Sequence, residues 1–328
     1  MSKTRHAHIS AIVPAYNRAA FLGKALDDIL SQDEPPDEVI VVDDGSTDCT
    51  ETVAKRYGAR IRYIRIENRG APVARNIGAA LASGDWLWFC DSDDLWRPSY
   101  LSRVRGLLNA RPQPAFIFGN FHLVHDDIWS TRTKFEDAPA GFWCKDSAVQ
   151  DNGDVVCTTP FYEKILTFQP IFHSTLVVSR QLFEEIGGYN NVFARTGSED
   201  FEFVLRCAAH DPTGVITEAL VGIRRHSGNA SADQLRNLLG EIEILQHAKR
   251  HHRAARHSAA AIDAQISQRS LQALEQAFSA RDYPLVRSLA CFIKGSASGL
   301  KPRVKAFLAA LPHEIRAPAI ALLTRRAS

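Results

Sequence analysis

The sequence predicts an α/β protein: a mostly parallel sheet flanked by helices, followed by an all-α C-terminal region. Strand and helix signals alternate along the first hundred residues, and the strand segments are β-branched or aromatic runs typical of buried parallel strands. Strand signals disappear after Ser231. We therefore place a boundary near Asp233, which divides the chain into domains 1–232 and 233–328.

Local patterns predict each element in turn. The apolar run Ile9–Val13 predicts the first strand, and the spacing of apolar residues over Phe21–Leu30 predicts a helix. Ser46 or Thr47 is expected to cap a helix that continues to Tyr57. Further strands are predicted at Glu38–Val42, Arg60–Ile66, Trp86–Cys90 and Ser174–Val178, and further helices at Gly70–Leu81, Arg180–Ile186, Leu235–His257, Ala259–Phe278 and from Tyr283. The segment Pro112–Phe172 has no clear period and is predicted to be irregular.

The composition is that of a water-soluble protein. Of 328 residues, 45% are apolar and 23% are charged, and no apolar stretch approaches the roughly 20 residues that span a bilayer. The N-terminus lacks a secretory signal pattern, so we expect a cytoplasmic location. The cysteines are scattered and form no CxxC motif, so all are expected to be reduced and buried: Cys49, Cys90, Cys144, Cys157, Cys207 and Cys291.

Charge is unevenly distributed. The formal net charge is +2, yet the segment from Gly240 to the end carries 14 Lys and Arg against 6 Asp and Glu. Val304, Phe307, Leu308 and Leu311 form an apolar stripe among these basic residues. Such a segment suits contact with the anionic inner face of a membrane, packing on the first domain, or dimer formation, and the sequence leaves these three open.

Three clusters of polar residues follow predicted strands, where ligands bind in open α/β sheets. Asp91-Ser92-Asp93-Asp94 follows Trp86–Cys90, and its crowded carboxylates suit a divalent ion or the N-terminus of a helix. Asp43 and Asp44 follow the second strand and could accept hydrogen bonds from a ribose or a base, or form a turn. The third cluster comprises Pro14-Ala15-Tyr16-Asn17-Arg18, together with Arg75, whose guanidinium suits a phosphate.

Several enzyme classes are excluded by missing motifs. No GxGxxG follows the first strand, and neither a P-loop nor a GxSxG nucleophile elbow is present, which argues against dehydrogenases, P-loop NTPases and α/β-hydrolases.

The motifs PAYN, EVIVVDDGSTD and ENRGAPVARNIGAALASGDWLWFCDSDD occur in this order. Together they strongly resemble the family 2 glycosyltransferases, inverting enzymes with the Rossmann-like GT-A fold. The resemblance covers Ile9–Asp94 closely and resumes at Phe172–Arg180, Thr196–Phe203 and Arg225–Asn229. It implies transfer of a sugar from a nucleotide-diphosphate sugar, often UDP-linked, with Mn²⁺ or Mg²⁺ as cofactor. It also implies a glycan or lipid-linked acceptor and a role in synthesis of a surface polysaccharide or other glycoconjugate.

The resemblance also implies residue roles. The nucleotide-sugar site would comprise Pro14, Ala15, Tyr16, Asn17, Asp43, Asp44, Arg75, Asp91, Ser92 and Asp93. Within it, Asp44 would contact the base and Arg75 would lie near the diphosphate. Asp93 or Asp94 would bind the metal directly, and His226 could add a ligand or be structural.

A carboxylate base is required because an acceptor hydroxyl attacks the anomeric carbon from the face opposite the leaving diphosphate. Asp200 matches the family's base and Glu199 is the second candidate, although this pair could also be an acidic helix N-terminus. Two other functions are considered: nucleotidyl transfer, which would want a glycine-rich basic loop where Pro14–Asn17 lies, and sugar-nucleotide binding without catalysis. Nucleic-acid binding is not expected, because the basic C-terminal segment lacks interleaved aromatic residues. The oligomeric state is left open.

Overall fold

The computed structural model describes residues 7–110, 112–143, 147–226, 233–294 and 299–318. The chain forms two units, one of residues 1–195 with 199–229 and one of residues 196–198 with 230–328. The first unit contains the sheet and the second contains helices. The predicted α/β class with a helical C-terminal region is thus confirmed.

The strands of the described residues are β1 (Ile9–Ala15), β2 (Glu38–Asp43), β3 (Arg62–Arg65), β4 (Trp86–Phe89), β5 (Leu95–Trp96), β6 (Phe116–His125), β7 (Ile128–Thr133), β8 (Ser147–Val149), β9 (Val155–Cys157), β10 (Leu176–Ser179) and β11 (Thr213–Arg225). The helices are α1 (Leu22–Leu30), α2 (Thr50–Lys55), α3 (Ala71–Leu81), α4 (Tyr100–Leu108), α5 (Tyr162–Thr167), α6 (Arg180–Glu185), α7 (Glu199–Cys207), α8 (Gln234–His251), α9 (Ala259–Ser279), α10 (Tyr283–Ala290) and α11 (Leu300–Ala310).

The strands form one sheet in the order β3-β2-β1-β4-β10-β6-β11-β9-β8, with β5 paired to β11 and β7 to β6. Strands β1 to β4 are mutually parallel, so the loops after β1, β2 and β4 leave the sheet at one edge. Beyond them, β10 is antiparallel to β4 and β6, whereas β11 runs parallel to β6. The predicted parallel half therefore continues into a mixed half.

Helices cover both faces of the parallel half because successive residues of a strand point to opposite faces. Val39 and Val41 of β2 belong to the core shared with α1 and α4, whereas Ile40 and Val42 pack against Ala74 of α3. Helix α3 lies close to the sheet at Gly78, where a Cβ atom would approach the Cγ2 atom of Ile12 to 2.5 Å. This close packing holds α3, and with it Arg75, against the strands.

Three predictions about local structure are wrong. The segment 112–172 is not irregular: it contains β6 to β9 and α5. Helix α2 begins at Thr50 rather than after Ser46 or Thr47, because Ser46 Oγ instead accepts a hydrogen bond from the backbone N–H of Asn17 at 2.9 Å. Among the described cysteines Cys49 and Cys291 are exposed and the others buried, and Cys144 lies outside the described residues.

The second unit contains α8 to α11 and has a buried apolar interior that includes Ile244, Leu274 and Leu289. Arg269 Nε pairs with Glu241 at 2.5 Å and Lys249 Nζ pairs with Asp263 at 2.6 Å, which links α8 to α9. Within the described residues, no helix is both long enough and apolar enough to cross a bilayer.

Candidate active site

The loops after β1 and β2 are joined by hydrogen bonds. Pro14 and Ala15 end β1, and Tyr16 follows with 45% of its surface exposed. Asn17 adopts a positive φ of 51°, and its Oδ1 atom accepts a hydrogen bond from the backbone N–H of Thr47 at 2.8 Å. The two loops therefore hold each other in place while the ring of Tyr16 remains open to a ligand.

Asp43 and Asp44 are both buried but have different partners. Asp43 accepts hydrogen bonds from the backbone N–H of Ser46 at 2.8 Å and from the hydroxyl of Tyr63 at 2.5 Å. Both oxygens of Asp44 accept backbone N–H groups, at 2.8 Å each, from the two residues immediately before α3. Because each carboxylate oxygen has a second lone pair, Asp44 can still accept a hydrogen bond from a base.

The second of those two residues is Gly70, which adopts φ +93°. A Cβ atom there would lie 2.7 Å from the backbone carbonyl oxygen of Ala194. Both the φ angle and this close approach require glycine at the residue before α3.

In the acidic loop after β4, Asp94 is turned into the protein. Its carboxylate accepts hydrogen bonds from Ser174 Oγ at 2.5 Å and from the backbone N–H of Arg224 at 2.8 Å. Burial, together with the charges of Asp93 and Asp91, raises the pKa of Asp94 well above its usual range. Asp94 thus ties the acidic loop to β11, with one accepted hydrogen bond on each of its oxygens. Ser92 is buried in the same loop.

Asp93 lies beside His226, 133 residues further along the chain. Asp93 Oδ2 is 3.0 Å from His226 Nε2 and accepts a hydrogen bond from Arg18 Nε at 3.1 Å. The imidazole of His226 stacks on the ring of Phe21, with 4.5 Å between ring centroids. Of the three predicted metal ligands, the structure therefore brings Asp93 and His226 together. Residues 227–229, the rest of the motif that contains His226, lie outside the described residues.

Arg75 links the acidic loop to the start of α7. It is 4% exposed, its Nη2 atom pairs with Asp91 Oδ1 at 2.7 Å, and its Nη1 atom lies 4.0 Å from Glu199 Oε1. Burial alone would raise the pKa of Asp91, but the charge of Arg75 holds that pKa below its ordinary value. The Arg75–Asp91 pair is therefore ionised. Through Arg75, the acidic loop at Asp91 is linked to the start of α7 at Glu199, 108 residues further along the sequence.

Asp200 is the second residue of α7 and has the pKa of a base that works near neutrality. Burial, followed by the negative charge of Glu199, raises its pKa from 3.8 to about 7, while Arg75 opposes this rise. Asp200 Oδ1 accepts a hydrogen bond from the backbone N–H of Phe201 at 2.9 Å. A carboxylate with such a pKa can accept a proton from a hydroxyl group and release it again at neutral pH.

Sequence reasoning missed two side chains beside Arg75. His173 is 3% exposed, and burial followed by the charge of Arg75 lowers its pKa well below the usual range, so it is neutral. The ring of Tyr189 lies 5.4 Å from the Arg75 guanidinium. Asn76 positions this tyrosine, since its amide accepts from Tyr189 N–H and donates to Tyr189 C=O at 2.8 Å each. The ARN triplet in the quoted motif was a signal for Asn76, and His173 lies in the segment Phe172–Arg180 where the resemblance resumes, whereas Tyr189 lies outside the quoted motifs.

Residues 10–168 match the family model for glycosyl transferase family 2. The chain therefore contains a glycosyl transferase family 2 domain, which spans residues 10–168. The resemblance drawn from the motifs is thereby confirmed. A validoxylamine A glucosyltransferase from Streptomyces hygroscopicus subsp. limoneus is 31% identical to this chain over 253 residues, which cover 68% of this chain and 54% of that protein. Among eight curated relatives, the chain spans between 17% and 61% of the relative's length.

Two solved structures share the architecture. S. aureus TarS 1–349, in complex with UDP-GlcNAc, matches with a TM-score of 0.63 and 17% identity, covering 92% of this chain and 88% of that one. The mannosyltransferase PcManGT from Pyrobaculum calidifontis, in complex with GDP-Man and Mn²⁺, matches with a TM-score of 0.56 and 20% identity, covering 93% and 84%. At these identities the likeness concerns the fold, and it confirms the GT-A class that the motifs implied.

Proposed function

We propose that this family 2 glycosyltransferase moves a sugar from a nucleotide-diphosphate sugar, UDP-linked in the first instance, to a hydroxyl group of a glycan or lipid-linked acceptor, as in surface polysaccharide synthesis. The reaction is a single displacement with inversion at the anomeric carbon. The observation that carries this proposal is the bridge made by Arg75, 2.7 Å from Asp91 and 4.0 Å from Glu199. It brings the acidic loop close to the start of α7, where the next residue, Asp200, has a pKa of about 7, and a displacement needs the diphosphate and the base in one place.

The base in this proposal is Asp200. As the acceptor oxygen attacks the anomeric carbon, Asp200 takes the proton of that hydroxyl, and the bond from the anomeric carbon to the diphosphate oxygen breaks on the opposite face. General-base assistance of this kind typically contributes about 10²–10⁴-fold. The pKa of Asp200, about 7, supports this role because the side chain is substantially ionised at neutral pH yet basic enough to take the proton.

The donor set at Asp93 fits a divalent ion. Asp93 Oδ2 and His226 Nε2 lie 3.0 Å apart, and oxygen and imidazole ligands suit Mn²⁺. Mg²⁺, which prefers oxygen ligands, would rely more on Asp93 and the diphosphate. When bound, the ion would act as a Lewis acid: it would neutralise charge on the diphosphate and so make the diphosphate a better leaving group. The structure of PcManGT contains Mn²⁺ and GDP-Man, which supports the proposal that a divalent metal ion assists the transfer reaction of this chain.

The nucleotide is proposed to lie between the loops after β1 and β2. The exposed ring of Tyr16 provides a stacking surface, and Asp44 accepts a hydrogen bond from the base. Arg18, at 3.1 Å from Asp93, is placed to meet a phosphate near the proposed metal site. Asp43, whose two oxygens accept hydrogen bonds from Ser46 and Tyr63, holds the loop that presents Asp44 to the nucleotide.

Calorimetry with UDP, GDP and dTDP, each with and without Mn²⁺, tests the binding part of this proposal. We expect one nucleoside diphosphate to bind in the presence of Mn²⁺ and Asp93→Asn to lose the Mn²⁺-dependent gain. Asp151→Asn, a change at an exposed turn, is the matched control and should bind as the wild type does. If the folded wild type binds none of the three nucleotides, the proposal is contradicted.

The catalytic part is tested with sugar esters of the nucleotide that binds. We expect Asp200→Asn to lower turnover by about 10²-fold or more while nucleotide binding persists. NMR of the product should show the opposite anomeric configuration to that of the donor. Retention of configuration, or full activity of Asp200→Asn, would exclude the proposed displacement.

A further inference from the structure

Helix α11 exposes an apolar face that its own bundle does not use. Leu300 is 78% exposed and Phe307 is 65% exposed, and the exposed Arg303 lies between them. Spacings of three and four residues place these side chains on one side of the helix. Ile315, in the helical segment 313–318 that follows, is 55% exposed. The apolar stripe predicted from the sequence is therefore split, with part of it open to solvent.

The opposite side of α11 attaches it to the other helices. Leu308 and Ala309 are buried, and Lys305 Nζ pairs with Glu275 of α9. The Arg287 guanidinium of α10 donates to the carbonyl oxygen of Ala309 at 3.4 Å. These contacts hold the helix in place through its other side and leave most of the surface of Phe307 and Leu300 open to solvent. A group of exposed apolar side chains rimmed by polar residues is typical of an interaction site.

The charges around this face are nearly all positive. Lys294 and Lys301 are exposed, as is Arg303. From Lys294 to the end, the sequence contains seven Lys and Arg residues and Glu314 as its one acidic residue. Two copies of such a face would repel each other, whereas an anionic surface would attract it.

We propose that the exposed face of α11 binds an anionic lipid bilayer, with Phe307 and Leu300 entering the boundary of the acyl chains and Lys301 and Arg303 meeting the headgroups. Helices that combine a basic side with Phe and Leu lie in membrane interfaces in this way. This surface is separate from the nucleotide-sugar site, so the proposal holds whether or not the transferase activity does.

Co-sedimentation of the full chain with vesicles tests it, using phosphatidylcholine alone and phosphatidylcholine mixed with phosphatidylglycerol. We expect binding to the mixed vesicles only. Leu300→Ser with Phe307→Ser should weaken it by roughly tenfold or more. Lys301→Gln or Arg303→Gln should each weaken it by about fivefold.

Ile128→Ser with Val192→Ser is the matched control, because these two side chains are also largely exposed but lie in the first unit. This pair should leave vesicle binding unchanged. Circular dichroism and nucleotide calorimetry on each variant separate loss of the surface from loss of the fold or of the nucleotide site.

Equal sedimentation of the wild type and the Leu300/Phe307 variant would overturn the proposal, as would absence of binding to the mixed vesicles. Light scattering provides a second criterion. A dimer of the wild type that the Phe307→Ser change converts to monomer would assign the face to a second copy instead, and would also overturn the proposal.

Discussion

Replacing Asp200 with asparagine should stabilise the protein above pH 7 while it removes the base. Asparagine is similar in shape, and its Oδ1 atom can keep the hydrogen bond that Asp200 accepts from Phe201 N–H at 2.9 Å. Asparagine does not ionise, so the variant avoids the unfavourable charge that the folded protein must hold beside Glu199. Active-site residues commonly reduce stability in this manner.

The size of the effect follows from the pKa. Folding raises the pKa of Asp200 from 3.8 to about 7, so between these values the folded state binds more protons than the unfolded state. The free energy of unfolding therefore falls as pH rises through this window, and the destabilisation is complete above about pH 7. About three pKa units correspond to roughly 4 kcal/mol as an upper bound. Because Asp200 is half-buried and partly screened by solvent, we expect a gain of about 1–3 kcal/mol for Asp200→Asn near pH 8.

Urea denaturation of the wild type and of Asp200→Asn at about pH 5 and about pH 8 measures this difference. At the lower pH the folded wild type has a protonated Asp200, so the advantage of asparagine should shrink by about 1–2 kcal/mol. Asp151→Asn, at an exposed position, should show no such pH dependence. An advantage that is the same at both pH values, or a loss of stability at pH 8, would refute the assignment of a raised pKa to Asp200.

Three further outcomes are expected. Glu199→Gln removes the charge that, after burial, contributes most to the raised pKa of Asp200, so the rise of kcat/KM with pH should move to lower pH by about one unit; an unmoved profile would contradict the coupling. Gly70→Ala should lower the free energy of unfolding by about 2 kcal/mol or more, because of φ +93° and a carbonyl oxygen 2.7 Å from the new Cβ. Gly106→Ala, within α4 and in open space, should not be destabilising, and similar urea curves for the two variants would count against this reasoning. Tyr100→Phe removes a buried hydroxyl that donates to a backbone carbonyl at 2.7 Å, and should cost about 1–1.5 kcal/mol in the same assay; an unchanged midpoint would show that this bond is dispensable.

Much of the parallel half could be predicted, because its signals are local. The strand observed at Glu38–Asp43 and the helix observed at Ala71–Leu81 differ by one residue from their predicted bounds. The mixed half could not be predicted in the same way. Strand β6 contains Gly119 and Asn120 in its middle, which obscures its period, and it forms because β10 and β11 pair with its two edges. Those two partners are more than fifty residues away in the sequence, so a window of neighbouring residues contains neither of them, and only the pairing of β6 with β7 is local.

The same distinction applies to the acidic residues. That carboxylates follow β2 and β4 and open α7 could be predicted, since it depends only on order along the chain. How these carboxylates differ depends on the folded arrangement: Asp94 accepts hydrogen bonds from Ser174 and the backbone of Arg224, whereas Asp93 lies beside His226. A carboxylate's pKa and its free lone pairs are set by the groups that surround it in space. Those groups come from strands and helices distant in sequence, and only folding brings them within reach.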